Sequence, residues 1–207
     1  GNSGTTAGTN FLGTTDNVGL MFKVNNTQAG YIDVTNSNTS FGYQSLFQNT
    51  TGINNVGLGY SALAELVSGH TNLGIGTEAL PNNQTGSHNV GIGWKSGFSI
   101  NGSNYNTVIG DSTGYATSLY LGNSNTIIGA RVTGLSTGLS NNVIIADGDG
   151  NKRMTFDASG NPYLPYTTSA ANAADSMVVI LPSTGKVGYR AIPTSSGGTV
   201  TSVTGTA

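Results

Sequence analysis

Asn72-Leu73-Gly74-Ile75-Gly76 decides how this chain reads, because the pentad recurs. Asn55-Val56-Gly57-Leu58-Gly59 precedes it and Asn89-Val90-Gly91-Ile92-Gly93 follows it. Asn38-Thr39-Ser40-Phe41-Gly42 extends the pattern backwards. Asn106-Thr107-Val108-Ile109-Gly110, Asn125-Thr126-Ile127-Ile128-Gly129 and Asn142-Val143-Ile144-Ile145-Ala146 extend it forwards. The asparagines lie 17 residues apart at every step but one, Asn106 to Asn125, where two residues are added to a loop. A fixed period in this range means stacked units that bury apolar surface only against their neighbours. It predicts an all-β fold, a parallel β-solenoid (β-roll) of seven ~17-residue rungs with flanking β-hairpin segments.

Columns can be numbered from each Asn. In a strand the first and third residues share a face. Here that face holds Val56, Leu73 and Val90 beside Leu58, Ile75 and Ile92, and it is expected to line the interior. The second column runs Ser40, Gly57, Gly74, Gly91, then Val108, Ile127 and Ile144, and is expected to point outward. A strand wet on one side would not be apolar on both. Val108, Ile127 and Ile144 are therefore expected to form an interface between copies of the chain. The Gly in the fourth column should turn the chain at positive φ. The stacked asparagines should hydrogen-bond from rung to rung. The segments from Tyr43, Tyr60 and Thr77 to Leu46, Leu63 and Leu80 are expected to form one short helical turn each. Glu78 and Lys95 share a column one rung apart and should sit side by side.

Four segments follow: an N-terminal β capping segment (1–37), the solenoid (38–146), a C-terminal β-hairpin segment (147–193), and a Gly/Ser/Thr linker (194–207) to a further domain. In the first, Val18 to Val24 and Tyr31 to Val34 read as paired strands closing the open end of the first rung. In the third, Lys152 to Phe156 reads as a strand, and Met177 to Leu181 with Lys186 to Ile192 as a hairpin. The formal net charge of −2 gives no basic footprint for nucleic acid. No apolar run approaches the ~18 residues of a membrane span, so no membrane insertion is expected. The absence of cysteine excludes a disulfide framework and a thiolate metal site. The chain reads as a piece of a longer protein.

The repeat, roughly Asn-x-x-Ile-Gly-Tyr-x-Ala-Leu, resembles the head repeats of trimeric autotransporter adhesins. It is closer still to the longer-period form found in bacteriophage tail fibres and bacterial surface proteins. Flanking stretches agree, among them Thr9 to Asp16, Phe22 to Asn26 and Arg153 to Asn161. The resemblance covers 38–146. It implies a homotrimer of left-handed solenoids, extracellular on a virion tail fibre or a bacterial cell surface, used for host attachment through a glycan or protein receptor. The period departs from the shorter one of the adhesin heads.

No enzymatic chemistry is expected, and no cofactor or metal. The ladder's acids, Glu65, Glu78 and Asp111, occupy different columns and form no carboxylate pair of the kind glycan hydrolysis needs. Asp147-Gly148-Asp149-Gly150-Asn151 spaces oxygen donors as a calcium loop does, yet the twelfth position is Ala158, so a polar turn is preferred. His70 and His88 read as loop residues rather than a metal pair. Tyr43, Tyr60 and Trp94 share a column, interrupted by Thr77, and are candidate glycan-contact aromatics, with packing against the next rung favoured over that role. The function expected is a structural and adhesive fibre segment. The alternatives are a polysaccharide-degrading solenoid enzyme and a monomeric solenoid binding glycan or ice.

Overall fold

The computed structural model describes residues 12–114 and 120–163, together with the backbone of 176–180 and 187–191. The chain divides into two compact units, 1–165 and 166–207. The described residues contain strands and turns and no helix.

The first unit is organised by one eleven-stranded sheet whose strands lie in chain order. Strands β3 (Asn38–Phe41), β4 (Val56–Leu58), β5 (Leu73–Ile75), β6 (Val90–Ile92), β7 (Thr107–Ile109), β8 (Thr126–Ile128) and β9 (Val143–Ala146) are all parallel and pair like residue with like. This is the parallel β-solenoid that the period predicts. Both ends are closed by antiparallel strands. Strand β1 (Leu20–Val24) pairs with β2 (Thr27–Asp33), and β2 lies against β3. At the other end β10 (Lys152–Phe156) lies against β9 and carries β11 (Pro162–Tyr163). The second unit contains the hairpin β12 (Ser176–Ile180) with β13 (Val187–Ala191). The linker expected over 194–207 lies outside the described residues.

All seven asparagines are buried and form a continuous ladder. The backbone N–H of each donates to the side-chain Oδ1 of the one before, at 2.8–3.1 Å. From Asn72 to Asn125 the Nδ2 also donates to that same Oδ1 at 3.0–3.2 Å. The amide then holds its own coil closed: Asn72 Nδ2 donates to the Gly86 carbonyl at 2.8 Å, and Asn55 to Gly69 at 2.9 Å. The ladder crosses the 19-residue step unbroken, with Asn125 N–H 3.0 Å from Asn106 Oδ1.

The face assignment is reversed. The second column is inside: Val108 and Ile127 are fully buried and Ile144 nearly so, in one core with Leu46, Leu63, Leu66, Leu80 and Ile100. These three residues are therefore core and not the interface between copies expected from the sequence. The first and third columns point outward and are partly exposed. The loop half of each coil, not the strand, decides what fits inside. Leu46, Leu63 and Leu80 project over the following strand, and the residue beneath each, Gly57, Gly74 and Gly91, has no room for a side chain. A Cβ on Gly91 would lie 2.6 Å from Leu80 Cγ. The next position of the leucine column is Gly97, and eleven residues on stands Val108. The switch at the 106 rung thus moves volume from loop to strand at nearly constant core size, as close packing requires.

The segments after the fourth-column Gly are not helical turns. Gln44, Leu46, Ser61, Leu63, Glu78, Leu80 and Lys95 take left-handed φ of 50–59°. Their backbone bonds run between coils, as from Leu63 N–H to the Ala79 carbonyl and from Glu78 N–H to the Tyr60 carbonyl. The fourth-column glycines do adopt positive φ, 124–134°. A Cβ on Gly59 would stand 2.5 Å from the Gly76 carbonyl oxygen. The one rung with Ala in this column, at Ala146, has no parallel coil after it.

Two outcomes are expected. Asn72→Ala strands the buried Asn89 N–H and opens its own coil, and should lower stability by about 2–4 kcal/mol in denaturant titration. Gly91→Val alone should cost about 1–3 kcal/mol by overpacking. Adding Leu80→Gly to Gly91→Val reproduces the Gly97 and Val108 arrangement and should recover part of that loss, which a double-mutant cycle would register as favourable coupling.

Candidate functional site

The coil has three outer faces of different chemistry. The first is the outer face of the sheet. Val56, Leu73, Val90 and Val143 line one column, with Phe41, Leu58, Ile75, Ile92, Ile109, Ile128 and Ile145 in the other. Phe41, Ile128 and Ile145 are 40–41% exposed. The strip continues through the end strands. Register places Ile32 beside Thr39, and Leu20 beside Ile32, on this face, and Phe22 packs on Phe41 at 5.3 Å between ring centroids. Met154 and Phe156 extend it past Ile145 and Val143. The ten strands from β1 to β10 at ~4.8 Å make a strip about 43 Å long. Sequence reasoning had this face inside, because period-two patterning shows that two columns share a face without showing which face is wet.

The second face carries the ladder's charges and the aromatic column. Tyr43 and Tyr60 stack at 5.8 Å with 14° between planes. Trp94 does not join that stack: Thr77 intervenes, and the Lys95 ammonium lies 4.9 Å from the Trp94 ring centroid. Glu78 and Lys95 form the expected cross-rung pair at 3.3 Å. Asp111 lies 3.9 Å from Arg131, and Glu65 accepts from the Gln84 amide. The three ladder acids thus have three separate sets of partners.

The third face, formed by the two residues before each Asn, carries a second side-chain ladder that the sequence did not disclose. Here the backbone N–H of one coil donates forward to a side chain of the next. Ile53 donates to His70 Nδ1, His70 to Ser87 Oγ, Ser87 to Asn104 Oδ1, Asn104 to Asn123 Oδ1 and Asn123 to Ser140 Oγ, at 2.7–3.2 Å. The signal was the run of acceptor-bearing residues at this position. Accepting at Nδ1 keeps the His70 proton on Nε2. His88 occupies the adjacent column and stacks on Tyr105 at 4.8 Å, 1° from parallel. The two histidines therefore serve different columns.

Asp147 closes the turn after β9. Its carboxylate accepts from the Asp149 and Asn151 N–H groups, the Asn151 amide and the Arg153 guanidinium. Ten residues on, Asp157 repeats the arrangement with Ser159 and Asn161. Both Asp147 oxygens thus accept from donors within the turn. The Asn151 amide foremost, then the Asn151 N–H, Arg153 and the Asp149 N–H, hold Asp147 well below the usual carboxylate range. Asn161 does the same for Asp157. No family model, curated protein or solved structure matches the chain.

A carboxyl whose folded pKa is depressed stabilises the fold fully above its unfolded pKa and loses that contribution as pH falls through the folded value. Wild type should therefore melt above Asp147→Asn at neutral pH. The gap should narrow progressively as pH is lowered from ~4, in thermal melts followed by circular dichroism.

Proposed function

We propose that this chain is a segment of an extracellular attachment fibre, on a virion tail or a bacterial surface, in which copies assemble through the outer sheet face into a homotrimer. The observation that carries the reading is the continuous apolar strip from Leu20 to Phe156. A strip about 43 Å long and two side chains wide, with Thr39, Thr107 and Thr126 among its aliphatic residues, presents on the order of 400 Å² of largely apolar surface, within the range of large patches that mark interaction sites. Three such faces meeting along an axis would bury on the order of 1,200 Å², at the lower end of the range of specific interfaces. The first and third columns contain no charged residue from Thr39 to Ile145, and burial there desolvates no ion. A second copy meets the strip with matching chemistry over its whole length. The repeat's resemblance to trimeric adhesin heads and tail-fibre modules supports three copies, and attachment as the task.

The charge-poor ladder suits an exposed fibre: Lys95 and Arg131 are the only lysine and arginine between Asn38 and Ala146, which leaves a trypsin-like protease few sites. Mass measured in native solution, by light scattering or mass spectrometry, tests the reading. A trimer is expected for the wild type. Ile75→Glu with Ile92→Glu, both on the outer face, should give a folded monomer with an unchanged circular dichroism spectrum. A monomeric wild type would sink the proposal.

A further inference from the structure

The third face holds a group of side chains that neither the core nor the apolar strip explains. Tyr105 stands in a column with Thr71, His88 and Ser124, all at left-handed φ of 56–61°. An exposed bulky residue in that conformation gains little to offset the strain, since L residues other than Gly, Asn and Asp avoid it. Tyr105 is nonetheless 62% exposed. Its ring is held flat by His88 on one side, at 4.8 Å and 1°. On the other side the next residue in the column is the small Ser124, and no second ring stacks there among the described residues.

The column next to that of Tyr105 carries two amides of the second ladder. Asn104 Oδ1 accepts from Ser87 N–H at 2.8 Å, and Asn123 Oδ1 accepts from Asn104 N–H at 2.7 Å. Each oxygen is pinned by a backbone donor, and each NH₂ donates to no described residue. The two groups stand on successive coils, about 4.8 Å apart, comparable to the span between hydroxyls on alternate carbons of a sugar ring. None of these residues bears a formal charge with histidine neutral, whereas four of the ladder's five charged side chains, Glu78, Lys95, Asp111 and Arg131, pair across coils on the second face.

An open aromatic platform flanked by fixed neutral donors is the chemistry that recognises the apolar face and hydroxyl edge of a pyranose. We propose that Tyr105, with Asn104 and Asn123, forms a binding subsite for a neutral pyranose of a surface glycan. The subsite deepens the attachment reading and rests on it for its biological setting. Tyr105 and both asparagines lie outside the two columns of the apolar strip.

The test uses the full chain with cellotriose, maltotriose and chitotriose as probes and 3′-sialyllactose as the charged comparator, followed by NMR of the tyrosine rings. At least one neutral trisaccharide is expected to shift the Tyr105 resonances with millimolar affinity, and the charged comparator to bind more weakly. Tyr105→Ala should raise Kd about tenfold or more, while Tyr105→Phe retains binding. Asn123→Asp keeps the acceptor for Asn104 N–H and replaces the NH₂ donor with an ionised oxygen. It should raise Kd about fivefold with little change in Tm. Trp94, the one tryptophan, lies on the second face and its emission should not change. The proposal is overturned if none of the neutral probes binds at about 10 mM, if binding survives Tyr105→Ala, or if it quenches Trp94 and disappears in Trp94→Ala. The fibre reading is decided separately by the mass measurement, so the two failures are distinguishable.

Discussion

A single buried amide, repeated, makes the rest of this structure possible. A coil of 17 residues has little interior of its own and cannot satisfy its polar backbone by folding alone. The Asn of each rung solves both difficulties. Its oxygen receives the N–H of the coil that follows, and in five of the seven its nitrogen holds a carbonyl fourteen residues further along its own coil, while Asn106 and Asn142 hold one two residues earlier. Buried side-chain amides without partners would be costly. Here each is satisfied by neighbours that occur only if the stack is in register. Stacking and register therefore arise from the same bond. Hydrogen-bonded amides aligned in one direction also polarise one another, which adds to the cooperativity of the stack.

Much of this was legible in the residues. The period gave the parallel solenoid, the Asn ladder, the positive-φ glycines and the Glu78–Lys95 pair. These features depend only on which residues recur together, and stacked coils place like beside like. What could not be read was direction. Alternation along β7 groups Thr107 with Ile109 and sets Val108 apart, but either set could face inward, and the more apolar pair was placed inside. The deciding information sat eleven residues earlier. Leu80 before Gly91, and Gly97 before Val108, show that loop and strand share one core position. Taken together, those columns mark the second strand position as the inward one. The second ladder was harder to see, since His70, Ser87, Asn104 and Asn123 are different residue types that share only an acceptor atom.

The three faces divide the chemistry of the molecule cleanly. The sheet face is apolar because its backbone is consumed in the parallel ladder and its side chains alone decide what it meets. The second face gathers the charged side chains, where opposite signs on adjacent coils approach one another as solvated pairs of modest energetic weight. The third is neutral and polar, and its side chains are oriented by bonds to the backbone of the coil before. A site built there is held by the stack itself, which is the kind of rigid support that binding groups require.

Ala146 has a consequence for how long such a stack can be. Every earlier fourth-column residue from Gly42 to Gly129 is a glycine whose missing Cβ makes way for the carbonyl of the next coil or of Ala146. At Ala146 that need ends, and β10 turns back along β9 in the opposite sense. The methyl group thus acts as a stop codon written in sterics, placed after seven units. Whole units inserted ahead of it would lengthen the shaft by one strand spacing each and leave both ends untouched. Fractions of a unit have to be absorbed in a loop, as the two extra residues between Asn106 and Asn125 are.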